Sequence, residues 1–178
     1  MPLFRESGIV EDPWLKLADD EPLPADGLVL VSFARWRQAR AALLARRGPV
    51  GVAFANTEAV ETLGADVARL DLIALHFPKF SDGRAYSQAR LLRGRLGYGG
   101  ELRATGNVLR DQFVFMLRAG FDAFEVTKEA DAEAFAETVR RYSIFYQPTG
   151  DGRTTALKAR RSRPVTPAWK RDTTLHEG

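Results

Sequence analysis

At 178 residues and 45% hydrophobic content, the chain is long enough for one domain with a full core and too short for a second catalytic domain. It has no cysteine, which excludes thiol nucleophiles, disulfides, thiolate-held iron–sulfur clusters and Cys-type zinc sites. Its two histidines, His76 and His176, are too few for a His-based metal site or a siroheme ligand set, so no metal site is expected.

Net charge is +3, yet residues 151–178 carry seven of the 26 Lys and Arg and three of the 23 Asp and Glu, leaving 19 and 20 in the first 150. The basicity belongs to a tail, and nucleic acid is an unlikely partner for a nearly neutral domain. Neither a signal sequence nor a run of about 20 apolar residues is visible, so the expected location is cytoplasmic, without membrane contact.

Residues 1–27, with four prolines and the apolar anchors Trp14 and Leu15, read as an N-terminal arm. The run Leu28–Phe33 predicts a first strand, followed by a helix over Ala34–Arg46 that Gly48 closes. Val50–Phe54 predicts a buried strand, and Thr57–Leu63 a short helix with Thr57 as N-cap. Leu72–Phe77 is the third strand. Arg84–Leu96 follows as a helix, with Ala85, Ala89, Leu92 and Leu96 on one face and Gly97 at its end.

Glu101–Thr105 is a fourth strand, Val108–Ala119 a helix, Phe121–Val126 a fifth strand and Ala130–Tyr142 a last helix. Beyond Pro148 the segment is basic, rich in Pro and Thr, and expected to be disordered. The organisation is therefore an arm (1–27), an α/β domain (28–147) and a flexible basic tail (148–178). About five mostly parallel strands alternating with helices favour an open doubly wound sheet, with a partial β/α barrel as the alternative.

In parallel α/β folds chemistry gathers at the carboxyl ends of the strands, where helix N-termini present free N–H groups. That edge would carry Ser32, Asn56, His76, Lys79, Ser81, Asp82, Arg84, Thr105, Asn107, Arg110 and Asp111, with Glu125 as a further candidate. Lys79, Arg84, Asn107 and Arg110 form a candidate anion-binding set, because cations at the positive end of a helix dipole are disfavoured unless an anion joins them. The competing reading pairs Arg84 with Asp82, and Arg110 with Asp111 or Glu125, as structural salt bridges. Ser81, Asp82, Thr105, Asp111 and Gln112 are assigned to capping and support, and Asn107 can also cap.

No catalytic residue is assigned: His76, the one histidine in the domain, is a candidate general acid or base, against the commoner role of a satisfied strand-end histidine. The cluster Gly94, Gly97, Gly99 and Gly100 lies between a helix and a strand, the wrong end for a dinucleotide fingerprint. Trp36, Phe77, Phe80 and Tyr86 are candidates for stacking on a flavin, against the simpler assignment to core.

The stretch His76–Gln112, HFPKFSDGRAYSQARLLRGRLGYGGELRATGNVLRDQ, together with GFDAFEV at 120–126, resembles a bacterial family of unknown function encoded beside sulfite reductase genes. The resemblance spans most of residues 1–147 and is most specific in FPKFSDGRAYSQARLLR and GNVLRDQ. Members are labelled as oxidoreductases of sulfite reduction.

The resemblance implies a place in assimilatory sulfite reduction and cysteine biosynthesis, with sulfite reductase or its electron donor as partner; joined to the Arg84 and Arg110 cluster, it gives an accessory or oxyanion-binding component as the expected function. The alternatives are an oxidoreductase of that pathway with a bound flavin or a partner-supplied cofactor, and a non-catalytic interaction protein. The cofactor is unknown. Asn107 departs from the family, many members of which carry Asp there; a cap tolerates that change and a catalytic carboxylate does not.

Overall fold

A computed structural model describes residues 3–5, 8–126, 155 and 158. The expected helix Ala130–Tyr142 and the tail fall outside these residues, apart from the two isolated positions.

Alternating apolar runs become strands β4 (Val29–Ser32), β5 (Val50–Phe54), β6 (Leu72–Phe77), β7 (Glu101–Gly106) and β8 (Ala123–Glu125). Three short strands precede them: β1 (Leu3–Arg5), β2 (Gly8–Val10) and β3 (Leu15–Lys16). All eight form one sheet in the order β2-β1-β8-β7-β6-β5-β4-β3.

The sheet differs from the expected five mostly parallel strands in number and in kind. Among the described residues it has eight strands and is mixed, because β1 runs antiparallel to both β2 and β8 while β3 to β8 are mutually parallel. Strands of two or three residues are too short to show a period, which is why the arm conceals them.

The preferred doubly wound arrangement is also corrected. A doubly wound sheet reverses its strand order at a switch point, whereas β3 to β8 lie in sequence order without reversal. Right-handed crossovers then place successive helices on one face, and the sheet curves into a half-barrel.

Chain length requires the curvature. Strands β2 and β3 occupy opposite edges, yet only residues 11–14 separate them. Five residue steps span at most about 18 Å. Seven strand spacings laid flat would measure roughly 34 Å. The sheet must curl until its edges approach.

On the helix-covered face, Val29, Val31, Val52, Phe54, Ile73, Leu75, Phe77, Leu102, Ala104 and Phe124 join one large core. The helices packed there are α1 (Phe33–Ala45), a 3-10 helix (Val60–Arg69), α2 (Arg84–Arg90) extended by a π turn (Leu91–Arg95), and α3 (Phe113–Ala119). Residues one position out of phase face the concave side, where Leu30, Leu72 and Ala74 pack with Trp14 of the arm. The buried Arg35 of α1 donates to the carbonyls of Ala18 and Glu21, tying the arm to that helix.

Three helix expectations change. The segment after β5 is a 3-10 helix over Val60–Arg69, broken at Gly64 (φ 52°), and no side chain caps it, so Thr57 is not its N-cap. The predicted Arg84–Leu96 helix turns from α to π at Leu91, and Arg93 then directs its guanidinium to the carbonyls of Tyr98, Gly100 and Gly120. The expected helix from Val108 begins as a 3-10 turn at Arg110–Gln112 and becomes α only at Phe113.

Candidate functional site

The carboxyl ends of β5, β6 and β7 form an edge laced by short hydrogen bonds. Asn56, buried after β5, donates from Nδ2 to Asp82 Oδ2 at 2.7 Å. Asp82 also accepts from Arg84 Nε (3.0 Å), Arg84 Nη2 (2.6 Å) and the Arg84 backbone N–H (3.2 Å). These bonds hold the Asp82 carboxyl well below the ordinary carboxylate range, the Arg84 side-chain bond first among the causes. Arg84 is raised in turn, chiefly by the same bond.

Asp82 therefore supports the start of α2 and forms the salt bridge that competes with anion binding by Arg84. Ser81 is exposed beside it. Gln88 of α2 joins this corner to the loop after β5, donating from Nε2 to the carbonyls of Ala55 (2.9 Å) and Glu58 (2.8 Å).

His76 and Thr105 are register partners on β6 and β7, so their side chains share the concave face at its carboxyl rim. His76 is exposed, with Nδ1 3.4 Å from Thr105 Oγ1. Gly106 follows at φ 85°, and a Cβ there would come within 2.5 Å of both His76 Cε1 and the Phe77 carbonyl. Only glycine lets the chain leave β7 this closely under the imidazole.

Asn107 is exposed, and its backbone N–H donates to the Phe77 carbonyl at 2.8 Å. It does not cap α3, which starts six residues later without a side-chain cap. Gln112 donates from Nε2 to the Phe80 carbonyl at 2.9 Å, linking the loops after β6 and β7.

Lys79 is exposed, and among the described residues it has no ion-pair partner. Asp111 is exposed on the 3-10 turn and contributes, after burial, to pushing the Tyr86 phenol up to about 12. The backbone of Arg110 opens that turn, while its side chain lies outside the described part, as does any pairing it makes. Of the predicted set, then, His76 and Thr105 are adjacent, Asp82 and Arg84 are joined to each other, and Gln112 fastens two loops. Glu125, the other carboxylate proposed for Arg110, is committed on the concave face.

That face holds residues the sequence reading passed over. Arg103 is fully buried, donating to Glu101 Oε1 from Nε (3.0 Å) and Nη2 (2.9 Å) and to Asp12 Oδ2 from Nη1 (2.8 Å). Glu125 Oε1 lies 3.6 Å from Nη1 and accepts from Lys16 Nζ at 2.7 Å. Arg5 closes the network on Glu101 Oε2. Glu101, Arg103 and Thr105 alternate with Leu102 and Ala104, a period-two charged pattern unusual in a parallel strand covered on both faces.

The candidate flavin-stacking residues do not share one surface. Trp36 and Phe77 are core, Phe77 packs against Tyr86 and Phe121, and Phe80 is 54% exposed. Among the described residues, no group of three or more acidic or histidine side chains is arranged to hold a metal ion. Among those residues, too, no helix is long and apolar enough to cross a membrane.

Comparison with curated proteins and with solved structures gave no match. A family comparison matches residues 51–157, more than half of the chain and including β5 to β8 with the carboxyl edge just described. The chain belongs to that family, described as bacterial protein of unknown function (DUF934).

Proposed function

We propose that the protein is an accessory, oxyanion-binding component of assimilatory sulfite reduction, and through it of cysteine biosynthesis, acting from the carboxyl edge of its half-barrel. The pathway comes from the sequence resemblance in residues 76–126. The observation that carries the chemistry is the exposed His76 beside the part-buried Thr105 at the carboxyl rim, with the exposed Lys79 three positions on, next to an Asp82 whose charge Arg84 and Asn56 already hold.

An oxyanion at this rim would meet an ammonium and an imidazole, with the Thr105 hydroxyl joining only by leaving its 3.4 Å bond to the Leu75 carbonyl, while the bonded Asp82 opposes it less than a free carboxylate would. Arg84 serves this edge mainly by retaining Asp82. Lys79 then becomes the principal cation, with Asn107 and Arg110 on the neighbouring loop as further contacts. Sulfite reductase or its electron donor is the expected partner.

The test has a genetic and a binding arm. Disrupting the protein should slow growth on sulfate or sulfite, with cysteine or sulfide restoring it, and Lys79→Gln should complement poorly. Purified protein should bind sulfite saturably, and Lys79→Gln should weaken that binding by roughly tenfold, the loss of one charge-assisted contact. Unimpaired growth on sulfite together with no saturable binding would overturn the proposal. A flavin absorption spectrum in the purified protein would favour the oxidoreductase alternative instead.

A further inference from the structure

The amino ends of the strands hold a cavity of about 220 Å³ between the last turn of α1, the turn into β5 and the end of the 3-10 helix. Its charged lining is Arg46, Arg47, Arg69 and Asp71, three guanidinium groups against one carboxylate. The wall therefore carries two positive charges in excess.

Nearby carboxylates do not remove the excess. Asp71 accepts from the Val50 N–H through Oδ2 at 3.1 Å, and among the described residues it forms no salt bridge with the three arginines. Asp66 feels the charge of Arg69, but Arg40 holds both of its oxygens.

Hydrogen bonding to loop carbonyls is the ordinary role of such an arginine, and it accounts for Arg46. Its Nε, Nη1 and Nη2 donate to the carbonyls of Pro24 (3.0 Å), Pro49 (3.3 Å) and Gly27 (3.0 Å). The other two are held far less, Arg69 only at the carbonyl end of α1, where a cation is ordinarily favoured. Arg69 makes one long contact, 3.4 Å, to the Leu44 carbonyl, and Arg47 is exposed with no hydrogen bond among the described residues.

We propose that this cavity binds a phosphate-class dianion, either inorganic phosphate or the phosphate group of a monoester. Arg47 and Arg69 supply charge-assisted hydrogen bonds, and Arg46, fixed by three carbonyls, forms a cationic wall. A dianion matches the two excess charges, and the planar guanidinium fork suits its oxygens. Asp71 and the carbonyl end of α1 oppose the ligand, so the arginines must outweigh both. The site lies at the opposite end of the strands from His76 and Lys79, so it stands or falls independently of the sulfite proposal.

Isothermal titration of the full chain with inorganic phosphate, against a chloride control at equal ionic strength, tests it. Saturable binding at one site per chain is expected. Arg47→Gln and Arg69→Gln should each weaken it by roughly tenfold or more, the loss of a charge-assisted contact. Asp71→Asn keeps an acceptor for Val50 and should tighten binding.

Methyl phosphate provides a second arm: tighter binding than phosphate identifies a monoester, and weaker binding identifies the free ion. Because Arg47 is exposed, its variant should fold even if Arg69→Gln does not. Heats no larger than the chloride control would overturn the proposal, as would wild-type affinity in a folded Arg47→Gln protein. An Asp71→Asn protein that melts normally yet binds no more tightly would remove its charge argument.

Discussion

Asp82 shows how one carboxylate can organise a strand end. It receives the Asn56 amide from the loop before and both the side chain and the backbone of Arg84 from the helix after. Its folded pKa is depressed, so it contributes stability above the unfolded value of about 3.9, and that contribution is lost as pH falls toward the folded value. Asp82→Asn should therefore be less stable than wild type at pH 7, with the gap narrowing below about pH 4; urea unfolding between pH 7 and 3 measures it. Parallel curves for the two proteins would detach the carboxylate from acid stability. Tyr86 has the opposite sign. Burial, with help from Asp111, pushes it up to about 12, so its contribution is complete below about 10 and is lost as pH rises through its folded value. Tyr86→Phe should lose less stability than wild type between pH 9 and 12, read by the same unfolding curves; an equal alkaline loss would place the titrating group elsewhere.

Among the elements, β7 bears the sharpest constraint, at the glycine where it ends. A methyl group on Gly106 would meet the imidazole of His76 and the Phe77 carbonyl, and the φ of 85° is itself unfavourable for an L side chain. Gly106→Ala should cost at least about 1–3 kcal/mol and disturb the His76–Thr105 pair, visible as shifts in the His76 ring resonances. A loss below about 0.5 kcal/mol would mean that the strand end relaxes, since surface changes without such strain fall within that range. Strands β4 to β6 were legible in the sequence as runs of mostly apolar residues, while β7 alternates polar and apolar residues instead and β8 carries Glu125 beside two apolar residues. The rim residues were legible with them, since sequential parallel strands deliver their carboxyl ends to one edge. Helix type was not. Backbone shifts at Gly64 and Leu91 depend on tertiary packing, and the late start of α3 leaves Asn107 in a loop. Asp12, Glu101 and Arg103 escaped notice because their partnership spans up to 91 positions, although the alternation in ELRAT was a local sign of a polar concave face.

At the scale of the whole molecule, the arm turns an open curved sheet into a half-barrel with a filled concave side. Asp12 and Lys16 of the arm meet Arg103 and Glu125 of β7 and β8, and Trp14 covers Leu72 and Ala74. Removing the central cation would leave Asp12, Glu101 and Glu125 close together without it, so Arg103→Met should cost about 3–5 kcal/mol. A neutral effect in chemical unfolding would show that water or displaced carboxylates compensate.

Deleting residues 1–10 removes β1 and β2, and with them the Arg5–Glu101 salt bridge, but leaves Asp12, Trp14, Lys16 and the bonds around Arg103 in the chain. Leu3 and Phe4 are essentially fully buried, and β1 is the strand that pairs with β8. Their loss should cost about 3–6 kcal/mol, the transfer value of two large apolar side chains. The uncovered β8 edge, with Phe124 beneath it, offers free backbone groups to another chain. The truncated protein should therefore unfold at lower urea concentration and self-associate in size-exclusion chromatography as concentration rises. If it remains monomeric and within about 1 kcal/mol of the full chain, a typical single-substitution effect, then the interactions of residues 11–16 suffice to hold the half-barrel and β1 is only a cover. If it self-associates while Arg103→Met remains monomeric, the two halves of the arm have separable tasks: β1 closes an edge, and residues 11–16 neutralise and fill the concave face.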